Sequence, residues 1–404
     1  MTRPISRRSV LGLLAAAPLA GAAAVPRAGE AAVARSAARA RSAAPARSAA
    51  PPADLRPGGA YDRLLRQLAA EDKFSGTVLL ASKGRPVLAR SYGMANKDRS
   101  IPNGPDTLFN LASITKTFTA VAIAQLAQQG KVGFHETLRT YLDGFPAEVA
   151  DTVTVHHLLT HTSGIGRPAL GPGPPEGLDW QSFDEVMDGT LAIIRRQTRP
   201  HFTPGTQFEY SNDAFFVLGA IVARVSEQSY FDFVRRHIFR PAGMTRTDFY
   251  SRPRVLAASD IAHPYATQFD GTRFDFSASE FFPFTNGPAG GAYSTSSELL
   301  RFVQAISAGT LLRPAFAELI TGGKVALPPE AAPPEPPSQT LFYGYGYLDA
   351  IVNSQRVLGH SGNSAGVATR LDVFPDLGWA SVILSNYDTT INPLVERERE
   401  LITG

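Results

Sequence analysis

The chain has 404 residues, 44% of them apolar and none cysteine, enough to build a substantial core while excluding disulfides and thiolate metal sites. Residues 1–60 hold nine of the 39 basic residues and two of the 36 acidic ones, so the remainder, with 30 against 34, is mildly acidic despite the formal +3 of the whole. An acidic body gives no basis for nucleic-acid binding.

Taken in order, residues 1–26 read as an export signal. Ser6-Arg7-Arg8-Ser9-Val10-Leu11 precedes an Ala/Leu run to Val25, with small-residue cleavage points near Ala20 to Ala24. The adjacent arginines followed by an apolar pair have the twin-arginine pattern. The run is too short and too alanine-rich for a membrane span of about 20 residues. Residues 27–60 repeat Ala, Arg, Ser and Pro without periodicity, the composition of a solvated linker. Residues 1–60 are therefore expected outside the fold.

Residues 61–72 form the first predicted helix, with Leu64, Leu65 and Leu68 on one face. Residues 76–81 and 86–92 read as a hairpin around Ser82-Lys83-Gly84-Arg85. Residues 111–127 then start a helix that is apolar nearly all round, the pattern of a helix inside a core. At its head stands Ser113-Ile114-Thr115-Lys116. Residues three apart are helical neighbours, which brings the Lys116 ammonium within reach of the Ser113 hydroxyl. The first helical turn also offers unpaired N–H groups to developing negative charge. Hydroxyl, amine and anion-stabilising helix end together make an activated nucleophile.

From residue 136 to about 250 the pattern is helical with Pro/Gly-rich loops, 166–177 being a candidate cleft rim. Residues 212–226 are a second strongly apolar helix, and Thr295 to Glu298 fits a capping box before residues 299–306. Residues 322–339 carry six prolines and read as a loop. Strand patterns return at 344–352, 355–359, 367–374 and 379–385, and Asn392-Pro393 starts a last helix over 394–402. Strands near both ends with helices between them predict an α/β (α+β) fold. An antiparallel sheet would come from 61–135 and 285–404, flanked by N- and C-terminal helices, with an inserted all-α subdomain over 136–284. The Ser113 helix would lie at the border, where a cleft forms.

Two further motifs follow in order, Tyr210-Ser211-Asn212 and His360-Ser361-Gly362. Ser-x-x-Lys, then Tyr-x-Asn, then a basic residue, a small one and glycine resembles the serine β-lactamase and penicillin-binding-protein superfamily. The spacing of about a hundred and then about a hundred and fifty residues looks most like its class C branch, which also holds DD-carboxypeptidases, D-aminopeptidases and esterases. Leu158-Leu159-Thr160-His161-Thr162-Ser163-Gly164-Ile165 and Tyr343-Gly344-Tyr345-Gly346-Tyr347 also match the family's habits, and the likeness runs from residue 61 to about 400. It implies a β-lactamase/transpeptidase-like fold.

The chemistry follows from the residue types. Ser113 attacks a carbonyl and becomes acylated. Lys116 either lowers the hydroxyl's pKa by its charge or, if burial depresses its own pKa of about 10.4, takes the proton. Tyr210 is the proton shuttle, its phenolate favoured by the lysine cation, and it later activates water. Asn212 orients Lys116 and substrate. By the family pattern, the backbone N–H groups of Ser113 and Asn363 form the oxyanion hole. Gly362 keeps a side chain out of the path of substrate along the strand edge.

His156, His157 and His161 are read as structural, because Leu158 stands where a zinc-protease motif needs glutamate. No metal or other cofactor is expected. Tyr343 to Tyr347 are read as strand packing rather than an acyl pocket. His360 replaces the lysine of most β-lactamases and penicillin-binding proteins. Beside the Lys116 cation it should stay neutral, free to donate a hydrogen bond toward Tyr210 or substrate. No Lys or Arg lies between Lys324 and Arg356 to receive a substrate carboxylate.

The reading is an exported serine hydrolase, secreted or in the cell envelope, acting on esters or amides through a Ser113 acyl-enzyme. It would be carboxypeptidase-like or esterase-like. The alternatives are a β-lactamase and a catalytically silent receptor for peptidoglycan or peptides. Its partners would be a small-molecule or peptide substrate, cell-wall peptide included, with no nucleic acid and no membrane span after signal removal. A monomer is expected.

Overall fold

The computed structural model describes residues 50–166, 176–327 and 340–404. The export signal, the linker to residue 49 and most of the 166–177 and 322–339 loops lie outside the described residues. The hairpin pattern after residue 76 is realised as strands Gly76–Ser82 and Arg85–Tyr92. Lys83 and Gly84 at its tip have φ of 51° and 74°. Two positive φ values in succession match the twist of a two-residue hairpin.

The chain then leaves the sheet and rejoins it at Val325–Ala326. Eight antiparallel strands lie in the order 325–326, 340–343, 348–352, 355–364, 367–374, 379–385, 76–82, 85–92. Gly76 stands opposite Ser385 and Ser82 opposite Trp379, so the first strand of the chain pairs with the last. The sheet is thus built from both ends, as the pattern predicts.

Alternation along the strands sorts the two faces. Val78, Leu80 and Ile383 pack with Leu55, Tyr61, Leu65, Leu394 and Val395. That face is covered by the helices Ala60–Ala70 and Asn392–Thr403. Leu79, Ala81, Val382 and Leu384 turn the other way, toward Phe118, Leu218 and Leu299. These belong to the helices Thr115–Gln128, Asn212–Ser226 and Ser296–Ser307. Every residue from Thr115 to Leu126 is buried, as an all-round apolar helix requires. None of the helices among the described residues is long and apolar enough to cross a membrane.

Three expectations need correction. The linker does not run to residue 60, because Ala53–Leu55 forms a helical turn with Leu55 fully buried. A leucine just ahead of the first helix has Tyr61 and Leu65 to bury against, and a composition-based boundary does not register a single apolar residue. The 136–284 segment is not purely helical. Asp248–Phe249 pairs with Ala292–Ser294, which also pairs with Phe109–Asn110, and Tyr265–Thr267 pairs with Arg273–Asp275. Runs of two or three residues show no period. Finally, Thr295 caps its helix by accepting the Glu298 N–H at 3.2 Å, but the Glu298 carboxylate does not reach back. It accepts from the N–H groups of Arg246, at 3.0 Å, and Thr247, at 2.7 Å, tying the insertion to the sheet-side helix.

Candidate active site

Ser113 sits on a short turn held from both sides. The Leu111 N–H donates to the Ala292 carbonyl at 2.9 Å, and the Leu111 carbonyl accepts from the Thr369 hydroxyl at 3.0 Å. Between them Ala112 adopts a φ of 44°, a left-handed conformation that non-glycine residues seldom adopt. The Asn110 side chain accepts the Ala112 N–H at 2.7 Å and stabilises this turn. Ala112–Ile114 is a single 3₁₀ turn that runs straight into the Thr115–Gln128 helix.

Lys116 is wholly buried, with its Nζ 3.0 Å from Ser113 Oγ, 2.7 Å from Asn212 Oδ1 and 2.8 Å from the Ala289 carbonyl oxygen. Burial pushes its pKa well below the ordinary lysine value. A neutral amine has two N–H bonds and one lone pair. The Asn212 and Ala289 oxygens can only accept, so they take the two N–H bonds. The lone pair is left for the Ser113 hydroxyl, the one partner able to donate.

The second motif divides its labour by position. Ser211 is the N-cap of the Asn212–Ser226 helix and accepts the Ala214 N–H at 3.0 Å. Asn212 is therefore the first helical residue, facing Lys116. Tyr210, just outside the helix, places its ring 4.9 Å from Lys116 Nζ. Although the residue is 44% exposed, burial around the hydroxyl raises the Tyr210 pKa, and a hydrogen bond with Ser113 only partly offsets this. The expected phenolate–ammonium pair is thus not favoured here: desolvation drives both groups toward their neutral forms.

The strand of the third motif is longer than its pattern suggests, Gln355–Ser364 rather than 355–359. The neighbour Val367–Phe374 pairs with it from Leu358 to Ser364, while Leu348–Val352 pairs only as far as Gly359. Beyond Gly359 one edge of the strand is open. A cavity of about 250 Å³ lies there, bounded by Ser113, Tyr210, His360, Ser361 and Asn363, and by the apolar Phe208, Leu327, Tyr343 and Leu348. Tyr343 thus combines strand packing with lining the pocket. A wider cavity of about 1020 Å³, lined among others by Ile194, Gln197, His201, Pro204 and Asp213, contains none of Ser113, Lys116, Tyr210, Asn212 or His360.

Two predicted details differ. A Cβ on Gly362 would stand 2.4 Å from the Leu111 carbonyl oxygen and 2.4 Å from Thr369 Oγ1. The glycine therefore lets the strand approach the Ser113 turn, rather than clearing a path for substrate. His360 is 2% exposed and uses both ring nitrogens inside the protein, on the Ser361 carbonyl at 2.5 Å and the Tyr343 hydroxyl at 2.8 Å. Neither is left to donate toward Tyr210 or a substrate. Its pKa is lowered to about 3 by burial first and by Lys116 second.

Of the histidines read as structural, His157 caps its own helix through the Thr154 N–H and His156 bonds the Tyr345 hydroxyl. His161 leaves that helix and packs its ring 4.2 Å from Tyr210. Neither His161 nor Tyr343 was identifiable as a site residue from local pattern, although both lie in stretches that carry the family likeness. Among the described residues, no three His, Asp or Glu side chains converge as a metal ion would require.

The sequence profile of the Beta-lactamase family matches residues 61–402. Penicillin-binding protein 4* of Bacillus subtilis (strain 168) is 28% identical over 338 residues, covering 80% of this chain and 70% of that protein. Esterase EstB of Burkholderia gladioli is 29% identical over 328 residues, 74% of this chain and 81% of the esterase. The crystal structure of a penicillin binding protein from Bacillus halodurans aligns with a TM-score of 0.70 at 26% identity, over 83% of this chain and 98% of that one.

Proposed function

This chain belongs to the Beta-lactamase family, and we propose that it is an exported serine hydrolase cleaving neutral esters or amides through an acyl-enzyme on Ser113. The observation that carries the reading is the bonding of Lys116. With two of its three partners able only to accept, its lone pair lies 3.0 Å from the Ser113 hydroxyl. Export rests on the arginine pair and apolar run of residues 6–25.

In this mechanism Lys116 takes the Ser113 proton as Oγ bonds to the carbonyl carbon, and the carbonyl electron pair moves onto its oxygen. The backbone N–H groups of Ser113 and Asn363 receive that oxyanion, each contributing about 3 kcal/mol in the transition state. Collapse restores the carbonyl and expels the alcohol or amine. The Tyr210 hydroxyl protonates it and recovers a proton from Lys116. Water then attacks the acyl carbonyl and gives its proton through Tyr210 to Lys116; collapse breaks the Oγ–acyl bond, Lys116 returns the proton to Ser113 Oγ, and the acid leaves. Asn212 holds Lys116 throughout.

The cavity wall sets which substrate charge it can receive. Its described lining has no Lys, Arg, Asp or Glu, and His360 is neutral. Arg356 and Lys324, which bracket the approach to the strand of the third motif, are already engaged, Arg356 with Asp349 at 2.9 Å and Lys324 with the Leu319 and Gly322 carbonyls. A free carboxylate would find no partner there, whereas a neutral acyl ester or amide needs none. This favours esterase-like chemistry over a β-lactamase.

The test is intact-mass analysis after exposure to a fluorophosphonate, with turnover of short p-nitrophenyl esters, nitrocefin and D-Ala-D-Ala peptides compared. Wild type should gain one adduct, Ser113→Ala none, and ester turnover should exceed nitrocefin turnover. An unlabelled wild type that still binds peptides would instead be a silent receptor.

A further inference from the structure

Four hydrogen bonds cross the floor of the site, and donor–acceptor accounting gives each of them a single direction. The Ser211 backbone N–H donates to His161 Nδ1 at 3.0 Å. His161 Nδ1 is therefore bare and its Nε2 carries the proton. That Nε2 lies 3.0 Å from the Tyr343 hydroxyl. At the far end, His360 Nδ1 is 2.5 Å from the Ser361 carbonyl oxygen, which can only accept, so this Nδ1 carries the proton. The bare His360 Nε2 is 2.8 Å from the same Tyr343 hydroxyl. Tyr343 must then accept from His161 and donate to His360.

The chain begins on main chain beside Tyr210 and ends on main chain in the strand that carries Asn363. All three side chains are essentially inaccessible, His161 at 0%, Tyr343 at 1% and His360 at 2%. His161 also supports the Tyr210 ring, with centroids 4.2 Å apart and planes 35° apart, and holds a φ of 58°. Non-glycine residues adopt that conformation at a cost, which the surrounding bonds offset.

We propose that His161 and Tyr343 are positioning residues, which lock the Tyr210 loop and the His360–Asn363 strand edge together across Ser113 by a one-way hydrogen-bond relay. The relay accounts for histidine at position 360. A lysine there has donors only, and would leave the buried Tyr343 hydroxyl proton without an acceptor. It also requires both rings to be neutral. A proton on His161 Nδ1 would meet the Ser211 N–H, and one on His360 Nε2 would meet the Tyr343 hydroxyl. Lys116 faces both rings, Arg370 faces His360, and Tyr210 and Tyr343 flank the pair. Burial and Lys116 act together against protonation of either ring.

The proposal rests on the serine hydrolase reading for its kinetic readout but not for its spectroscopic one. In protein with ¹⁵N-labelled histidine rings, long-range ¹H–¹⁵N spectra should show His360 as the Nδ1–H tautomer and His161 as the Nε2–H tautomer. Both should be unchanged between pH 5 and 8, with His161→Asn assigning one of them. Finding His360 as the Nε2–H tautomer, or titrating in that range, would overturn the relay whatever the enzyme's activity.

Kinetically, Tyr343→Phe should lower kcat/KM for a p-nitrophenyl ester about tenfold or more, chiefly in kcat, with the thermal transition retained. His161→Asn keeps an acceptor for the Ser211 N–H and tolerates the left-handed backbone, so it should retain more activity than His161→Phe. A folded Tyr343→Phe with kcat within twofold of wild type would refute the positioning role. A wild type without turnover would defeat the hydrolase reading, while the tautomers would still decide the relay.

Discussion

Substituting Gly362 by alanine tests whether the close approach of strand and nucleophile turn matters to catalysis. The new Cβ would lie 2.4 Å from the Leu111 carbonyl oxygen, 2.4 Å from Thr369 Oγ1 and 3.1 Å from the Ala112 Cβ. Ordinary contact begins near 3.4 Å, so the strand and the turn must separate by about 1 Å. Thr369 Oγ1 cannot simply rotate away at no cost, because it donates to the Leu111 carbonyl at 3.0 Å. Overpacking of this kind destabilises by about 1–3 kcal/mol. The same displacement moves Asn363 relative to Ser113, and about 1 Å of misplacement at a reacting centre can cost about a hundredfold in rate. The assay is kcat/KM on a p-nitrophenyl ester, with thermal denaturation in parallel. Gly104→Ala is the control, its Cβ meeting nothing closer than Thr107 Oγ1 at 3.9 Å. A Gly362→Ala enzyme within threefold of wild type would show that the two elements need not touch.

Ser113→Ala and Lys116→Ala should each lower turnover by about 10³-fold or more, and the double variant should be little worse than either, because the two act as one unit. A Lys116→Ala enzyme retaining most of its activity would break the shared-site argument. With Lys116 required as the free amine and its pKa lowered by burial, kcat/KM should rise with pH along a single limb lying well below the ordinary lysine range. The raised pKa of Tyr210 should keep any falling limb above about pH 10, so a decline that begins near pH 8 in folded enzyme would point to a working phenolate instead. Away from the site, the buried Glu398 accepts from Tyr61 at 2.9 Å and Ser381 at 2.6 Å, and its pKa is raised to about 8 by burial and by Asp372. The folded form therefore holds a proton that the unfolded chain releases near pH 4.3. This stability is complete below about pH 4 and lost as pH rises to about 8. Thermal midpoints at pH 5 and 8 should differ less in Glu398→Gln than in wild type, and equal differences would discount the carboxyl.

What was legible in the sequence follows from how local each feature is. Ser113 and Lys116 share one helical turn, and spacing alone brings them to 3.0 Å. The strand Trp379–Ser385 and the helix Asn212–Ser226 carry full periods and clear end signals, and their bounds were readable. Leu55 and the two-residue strand Asp248–Phe249 were not, because one apolar residue or one pair carries no period.

The order Ser113–Lys116, Tyr210–Asn212, His360–Gly362 was enough to indicate the family and the reaction type, since those depend on which groups are present. The sequence already places His360 as neutral beside Lys116, but only the tertiary structure decides the state of Lys116 and His161. Lys116, His161 and His360 are driven neutral because the core removes the water that would solvate a charge, and desolvation depends on packing from distant segments. The same holds for the two corrected roles. Gly362 answers to a carbonyl 251 positions earlier in the chain, on Leu111, and His360 answers to a hydroxyl on the strand Thr340–Tyr343. Residue types and spacings determine which chemistry a chain can attempt; which proton sits on which nitrogen is set by partners that the fold alone brings within hydrogen-bond distance.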